Sequence, residues 1–278
     1  MNFSNIPNYD KYDYSAYEDL ENVEVNYNNS NIGLPNMTVF SGSTGSGKTH
    51  LLFLCLLYPE FFDYEELYIL TPSKNSKQYT FLKYCFKYHI DKVQILKLFI
   101  KSLKGYMLHQ IHDWIRTAAS ELKTEDLQNY TKLVITDKVG DLPIITEIGE
   151  EADNGINYPK RLVIADDIIN NKLYNNIMEG YFTRGRPLNI SCIYLTQKFT
   201  KVPLLIRENL SNLFLFKTDE TSLRKIYGDV ASSFIDKRDF YDVCTRIWTM
   251  KNRNNSNPYV FINKIEGIIT SDVFNERK

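Results

Sequence analysis

The sequence of 278 residues predicts an α/β fold in which helices cover both faces of a mostly parallel β-sheet. Short apolar runs typical of buried strands alternate along the chain with segments of helical spacing. The first run leads directly into a glycine-rich loop, and a later run ends in two aspartates. Apolar residues make up 43% of the chain, which is enough for one α/β domain with a large core.

The apolar patterns predict the elements in chain order. The apolar residues of 137–160 show no regular periodicity, and the segment is expected to be a surface insertion. The predicted elements are a strand over 37–40, a helix over 47–57, a strand over 66–70, a helix around 81–86, a strand over 93–100, a helix over 107–122, strands over 162–165, 193–195 and 213–216, and a C-terminal β-hairpin that joins 246–250 to 259–262.

The first 32 residues differ from the rest of the chain. They are rich in Asn and Tyr and carry six acidic residues against Lys11 alone. Two interpretations stay open: a poorly ordered arm, or an arm that docks on a neighbouring subunit through its tyrosines. We therefore expect an acidic N-terminal arm over 1–32 and one α/β domain over 33–278.

The glycine-rich loop fits the spacing GxxxxGK[ST]. Glycines allow the backbone to wrap phosphates with its N–H groups pointing inward, and the helix that follows presents its positive end to the same anion. Lys48 is expected to reach the β- and γ-phosphates of ATP, and Thr49 to offer its hydroxyl to Mg²⁺. The predicted nucleotide-binding residues are Gly42, Ser43, Thr44, Gly45, Ser46, Gly47, Lys48, Thr49 and His50.

Polar residues follow two further apolar strands. Asp166 and Asp167 come directly after 162–165, at the sheet edge where ligands of open α/β sheets bind. We expect Asp166 to hold Mg²⁺ and Asp167 to orient or deprotonate the attacking water. Gln197 follows the strand 193–195 and is expected to sense the γ-phosphate. Either strand end could instead be an ordinary polar turn.

Three arginines are candidates for a finger that reaches the ATP of an adjacent subunit. Arg184 and Arg186 flank Gly185, and Arg207 lies in the later segment 202–209. Arginine is suited to this role because its planar fork binds phosphate oxygens. A solvated turn is the other interpretation of the pair around Gly185.

Four segments, in this chain order, resemble the genome-packaging ATPases of poxviruses, giant viruses and virophages, within the FtsK–HerA branch of P-loop motors. They are the P-loop, VIADD (163–167), TRGRPLNISCIYLTQ (183–197) and VPLLIRENLSNLFLFK (202–217). The composition looks most like the virophage members. The resemblance implies a P-loop NTPase fold of the ASCE, RecA-like class. It also implies a pentameric or hexameric ring that pumps double-stranded DNA into a preformed capsid, at a portal or vertex, in the host cytoplasm or virion.

Several alternatives remain at this point. A nucleotide kinase, a GTPase-like switch or a virion protein with an inactive nucleotide site would also carry the P-loop. Net charge is −1, so any DNA contact must come from local basic patches, or from several subunits that place theirs around one axis. The longest apolar run, 51–58, is too short to cross a bilayer. Candidate pore lysines are Lys74, Lys77, Lys83, Lys87, Lys97, Lys101 and Lys104.

Overall fold

The computed structural model describes residues 32, 35–57, 61–87, 132–145, 159–168, 171–249 and 258–271. Within these ranges the strands are β1 (Met37–Ser41), β2 (Glu66–Leu70), β3 (Lys132–Thr136), β4 (Arg161–Asp166), β5 (Ile190–Thr196), β6 (Asn212–Phe216), β7 (Tyr259–Asn263) and β8 (Ile268–Thr270). The α-helices are α1 (Lys48–Leu57), α2 (Lys77–Lys87), α3 (Lys172–Arg184), α4 (Leu204–Asn209), α5 (Glu220–Ile226) and α6 (Lys237–Thr249).

All eight strands form one sheet in the order β3-β2-β4-β5-β1-β6-β7-β8. The six strands from β3 to β6 are parallel, and β7 and β8 add an antiparallel hairpin at one edge. The strand β5 lies between β1, which leads into the glycine loop, and β4, which ends in the aspartates. This arrangement confirms the predicted α/β fold, with the glycine loop and the acid pair separated by one strand.

The sheet is buried on both faces because helices pack against each side. One core cluster joins α1 and α2 to one face, through residues such as Leu52, Cys55 and Leu82. The other joins α3, α4, α5 and α6 to the opposite face, through residues such as Phe182 and Ile206. Burial on both faces explains why the central strands are continuous apolar runs. In the described ranges, every helix is too short or too polar to traverse a lipid bilayer.

The C-terminal hairpin is present, but one of its predicted strands was wrong. Residues 246–249 belong to α6, and β7 pairs with β8 instead. Phe240, Cys244 and Ile247 are buried at helical spacing, so the helix buries a continuous apolar stripe. Trp248 follows this stripe, and its indole N–H donates to the Leu215 carbonyl of β6 at 3.4 Å. The amphipathic pattern therefore outweighs the β-propensity of Ile-Trp-Thr.

The strands over 37–40, 66–70, 162–165, 193–195 and 213–216 and the helices over 47–57 and 81–86 are confirmed. The strand β3 was not predicted; its residues pair with β2 along their whole length. The predicted strand over 93–100, the helix over 107–122, most of the arm and residues 146–158 of the insertion lie outside the described residues. Ile32, at the predicted end of the arm, is buried in the core beside α1.

Candidate functional site

The glycine loop connects β1 to α1 at the carboxyl edge of the sheet. Gly42 donates its N–H to the Thr196 carbonyl of β5 at 3.2 Å, so the loop begins against the neighbouring strand. A Cβ at Gly42 would lie 2.6 Å from Phe216 Cβ and 2.7 Å from Ser46 Oγ, which leaves no room for a side chain. Gly45 and Gly47 have φ values of +78° and +97°, which other residues rarely adopt. The loop is therefore a tight concave turn that requires glycine.

Lys48 begins α1 and turns its side chain back into this loop. Its Nζ donates to the carbonyl oxygens of Gly42 at 2.6 Å and Ser43 at 2.9 Å. Burial lowers the pKa of Lys48, while the charges of Asp166 and Asp167 oppose that shift. The ammonium group therefore lies within reach of both the loop and the acid pair. The first N–H groups of α1 add partial positive charge at the same place.

Asp166 is the last residue of β4, and Asp167 follows it. Burial raises the pKa of the Asp166 carboxyl and Asp167 adds to the rise, whereas a hydrogen bond from Tyr79 and the charge of Lys48 lower it. The Tyr79 hydroxyl donates to Asp166 Oδ2 at 2.7 Å. Asp167 is exposed and has a φ of +58°, the left-handed conformation that Asp tolerates better than most residues. This turn projects the second carboxylate beyond the strand end.

Gln197 follows β5, between the loop and the acid pair. Strand register aligns Ser41 of β1 with Thr196 of β5, and Leu195 of β5 with Asp166 of β4. The Gln197 amide donates to Asp167 Oδ1 at 3.3 Å. The structure thus brings together Lys48, Asp166, Asp167 and Gln197, which the sequence predicted to share one site.

The donor set here is suited to a magnesium ion that the nucleotide helps to hold. Thr49 and Asp166 offer hard oxygen ligands, which Mg²⁺ prefers, and Mg²⁺ commonly takes its other ligands from phosphates and water. In the described ranges, no group of three or more His, Cys, Asp and Glu side chains could hold a metal ion by itself. Ser46 Oγ is buried in the loop and has no hydrogen-bond partner among those residues. These residues therefore fit a phosphate-bound Mg²⁺, for which Thr49 and Asp166 would be the protein ligands.

His50, predicted to help bind the nucleotide, is buried in α1. Burial lowers the pKa of its imidazole to about 4, so the ring is neutral at pH 7. A neutral ring adds no positive charge to the phosphate loop.

The three candidate arginines lie in different environments. Arg207 is 11% exposed and pairs with Asp229, while its Nε donates to the Val202 carbonyl at 3.0 Å. Arg186 donates to the Asn209 carbonyl at 3.0 Å and to Ser211 Oγ at 2.8 Å. Arg184 is exposed at the end of α3, and within the described part of the chain its side chain forms no hydrogen bond or ion pair. Two of the three therefore hold their own subunit together.

The Arg184–Arg186 loop also lies at the opposite edge of the sheet from the P-loop. It precedes β5, and the Asn189 carbonyl after it accepts a hydrogen bond from the N–H of Arg161, the first residue of β4. The 13 residues of α3 separate it from Asp167, about 20 Å at 1.5 Å per residue. These arginines therefore cannot reach the ATP site of their own subunit without a large rearrangement.

The candidate pore lysines that the structure describes are Lys74, Lys77, Lys83 and Lys87. Lys74 forms a salt bridge with Asp137 at 2.7 Å, and Lys83 donates to the Lys74 carbonyl at 2.9 Å. Lys77 and Lys87 lie at the two ends of α2 and are exposed. Lys97, Lys101 and Lys104 lie outside the described residues.

The sequence prediction missed Tyr79, which contacts the acid pair from α2. Sequence spacing gives no signal for it because 87 residues separate Tyr79 from Asp166. A weak signal was available in its position: α2 follows β2, so its first turn lies at the carboxyl edge of the sheet.

Comparison with known proteins gives one family match. The model of the family described as "Poxvirus A32 protein" matches residues 24–150 and 142–276. No curated protein matches the sequence.

Several solved structures resemble this one at low sequence identity. The genome packaging NTPase B204 from Sulfolobus turreted icosahedral virus 2, in complex with sulfate, has a TM-score of 0.48 and 13% identity over 88% of this chain and 100% of that one. VirB4 of Thermoanaerobacter pseudethanolicus has a TM-score of 0.42 and 10% identity over 82% of this chain and 86% of that one. EssC (ATPases 2 and 3) from Geobacillus thermodenitrificans has a TM-score of 0.39 and 13% identity over 86% of this chain and 38% of that one. With TM-scores below 0.5, none of these likenesses bears on function.

Proposed function

The chain belongs to the Poxvirus A32 protein family, and on that premise we propose that it is a genome-packaging ATPase, a motor that hydrolyses ATP to move double-stranded DNA into a viral capsid. One observation carries the proposal. Three neighbouring strand ends bring a phosphate loop, an amide and two carboxylates together in the order β1, β5, β4. Phosphoryl transfer is catalysed mainly by positioning and charge, and this set of groups supplies both.

Each group at the site has a role in that reaction. The loop N–H groups and the start of α1 bind the phosphates of ATP, and Lys48 exchanges its bonds to the loop carbonyls for bonds to the β- and γ-phosphates. Thr49 and Asp166 would hold Mg²⁺, which would neutralise charge on the phosphates when bound. Asp167 accepts the proton of the attacking water or orients that water. Gln197, bonded to Asp167, responds to the γ-phosphate beside it.

A neighbouring subunit can provide a second positive group to this site, in addition to Lys48. Arg184 is exposed, and its side chain makes no hydrogen bond or ion pair with the residues that the structure describes, so it is suited to reach across an interface. Arg186 and Arg207 are engaged in their own subunit. A ring of five or six subunits would complete each site in this way. The N-terminal arm over 1–32 is a candidate for docking between subunits of that ring.

The charge of the chain limits how it binds DNA. With a net charge of −1, a single subunit has no generally basic surface, so a ring must gather its exposed lysines around one axis. Such contacts reach phosphates and carry no sequence information. Packaging also implies a capsid portal or vertex protein as partner, and the host cytoplasm or the virion as the place of action.

The proposal is tested by ATP turnover with and without duplex DNA. Duplexes of scrambled sequence should stimulate hydrolysis equally, and the stimulation should fall steeply between about 50 and 200 mM salt because phosphate contacts release counterions. Native mass spectrometry with ATP and DNA should detect a ring. Turnover that requires a small phosphate acceptor would indicate a nucleotide kinase, and binding without turnover would indicate an inactive virion protein. Dependence on one DNA sequence would contradict a packaging role.

A further inference from the structure

A buried tyrosine of α2 contacts the acid that ends β4. The Tyr79 hydroxyl donates to Asp166 Oδ2 at 2.7 Å, and the Tyr79 side chain is 1% exposed. Neither the P-loop pattern nor the acid pair requires a tyrosine at this place. The contact therefore calls for an explanation that is specific to this chain.

The Tyr79 ring is held in place from two sides. The backbone N–H of Tyr79 donates to Ser76 Oγ at 3.3 Å in the first turn of α2, which fixes the backbone there. The ring packs against Phe53 of α1, with centroids 5.8 Å apart at an angle of 48°. Because α1 also begins with Lys48 and Thr49, the same packing relates the phosphate loop to the acid strand. The hydroxyl consequently has a fixed position relative to both.

We propose that Tyr79 is a positioning residue for magnesium, which holds the Asp166 carboxylate in the orientation that the metal and its waters require. This inference rests on the proposed function, since it assumes that Asp166 is a metal ligand. Because the hydroxyl donates to Oδ2, Oδ1 would be the oxygen that binds the metal. A carboxylate ligand that is fixed by an outer hydrogen bond loses less freedom when the ion binds, and loss of such a bond commonly lowers metal affinity about 10- to 100-fold.

The other explanation is that the hydroxyl only satisfies a buried group and supports the fold. Tyr64 offers a matched control for that role. Its side chain is also buried, and its hydroxyl donates to the Leu56 carbonyl at 2.9 Å, at the far end of α1 from the phosphate loop. Tyr64→Phe and Tyr79→Phe therefore each remove one buried hydroxyl and its hydrogen bond to a described residue, and only Tyr79→Phe removes a contact with Asp166.

The test measures Mn²⁺ binding by electron paramagnetic resonance in the presence of AMP-PNP, with Mn²⁺ as the probe for the metal. Tyr79→Phe should bind Mn²⁺ about tenfold or more weakly than the unmodified protein, whereas Tyr64→Phe should bind it unchanged. All three should bind AMP-PNP equally without metal. In hydrolysis assays, Tyr79→Phe should need more metal for half-maximal rate and recover most of its kcat at saturating metal. Incorporation of 4-aminophenylalanine at position 79 keeps the ring and a donor, and should restore metal affinity.

Equal Mn²⁺ affinity in Tyr79→Phe and the unmodified protein would overturn the inference and leave the proposed function intact. No Mn²⁺ and AMP-PNP binding by the unmodified protein would instead refute the proposed function. Tyr79→Phe could fail to fold while Tyr64→Phe folds. In that case, a 4-aminophenylalanine protein that folds but binds Mn²⁺ weakly would also overturn the inference. If that protein folds and binds Mn²⁺ normally, the donor at position 79 suffices and the inference stands.

Discussion

The Gln197 side-chain amide lies 3.3 Å from Asp167 Oδ1 and donates a hydrogen bond to it. The two residues follow adjacent strands, β5 and β4, so the bond links the strand end beside the phosphate loop to the carboxylate proposed to act on water. Asp167 holds a left-handed backbone with a φ of +58°, and the bond to Gln197 fixes its side chain in that turn. The two side chains therefore act as one unit, and a change to either one should remove the catalytic contribution of both.

Asp167→Asn should bind ATP and lose hydrolysis, because an amide cannot accept the proton of water. Asn tolerates the left-handed backbone, so the turn should be preserved. The expected loss in kcat is about 10²- to 10⁴-fold, measured by phosphate release under saturating ATP. Gln197→Ala should also lower kcat, and the double variant should be no worse than Asp167→Asn alone. Normal turnover by Asp167→Asn would show that another residue is the general base. The next candidates are Glu147, Glu150 and Glu151 of the predicted insertion over 137–160.

Arg184→Ala should lose ATP turnover alone and regain part of it when mixed with Lys48→Ala. Interfaces that pair an intact P-loop with an intact Arg184 would then be active. A finger contributes on the order of 10³-fold to the rate, so partial recovery should stand well above either protein alone. Mixed rings must be demonstrated by native mass spectrometry. Full activity of Arg184→Ala alone would exclude it as the finger, and loss without recovery in mixed rings would show that it acts within its own subunit.

Arg207→Ala should destabilise the fold and show no recovery in the same mixing experiment. Arg207 and Asp229 are 11% and 19% exposed, so removal of the arginine leaves a mostly buried carboxylate with Lys225 as its remaining partner, at 3.1 Å. The free energy of unfolding should fall by about 3 kcal/mol, measured by urea denaturation. Arg184→Ala is the matched control and should unfold like the unmodified protein. A folded, fully stable Arg207→Ala protein that is inactive would favour a finger role for Arg207 instead.

The ion pair between Glu66 and Arg161 should make stability depend on pH. It links the first residues of β2 and β4 at 2.8 Å. Burial alone would raise the pKa of Glu66, but hydrogen bonds from Arg161 and Tyr68 leave it below its usual value of 4.5. The contribution to stability is therefore present above about pH 4.5 and is lost as pH falls through the lower pKa of the folded state.

Glu66→Gln should consequently lower the free energy of unfolding by about 2 kcal/mol at pH 7 and by less near pH 3. Urea denaturation at pH 7, 5 and 3 measures both values. Glu220→Gln is the control, because its pair with Arg224 is exposed and should contribute little at any pH. A difference between Glu66→Gln and the unmodified protein that stays constant with pH would contradict this account.

The sequence was sufficient to predict the core of the site because parallel strands end at one edge of the sheet. Each chemical group there follows an apolar run, so Lys48, Asp166, Asp167 and Gln197 could be placed together without knowing the strand order. The order itself, with β5 between β1 and β4, is not encoded in any local pattern. Tyr79 could not be predicted either, since its contact with Asp166 depends on how α2 packs against α1.

The errors in the predicted elements have local causes. The segment Arg246-Ile247-Trp248-Thr249 favours a strand when considered alone, and only the wider spacing of Phe240, Cys244 and Ile247 indicates a helix. The strand β3 is short and lies at a sheet edge, where its residues 132–135 are exposed or only half-buried, and its apolar run is limited to Leu133, Val134 and Ile135. Arg186 and Arg207 were grouped with Arg184 because a sequence does not show which guanidinium is engaged within its own subunit.

The most direct measurement of the central claim is ATP-driven displacement of a third strand from a linear duplex that carries a triplex. The unmodified protein should displace the third strand in the presence of ATP and Mg²⁺, at a rate that rises with ATP turnover. Lys48→Ala should fold, bind duplex DNA and leave the third strand in place, because it lacks the ammonium that stabilises the transferring phosphoryl group. Lys201→Ala, a change of another exposed lysine outside the site, is the control. Duplex-stimulated ATP hydrolysis without displacement, or equal displacement by folded Lys48→Ala, would contradict the conclusion that hydrolysis at this site drives DNA movement.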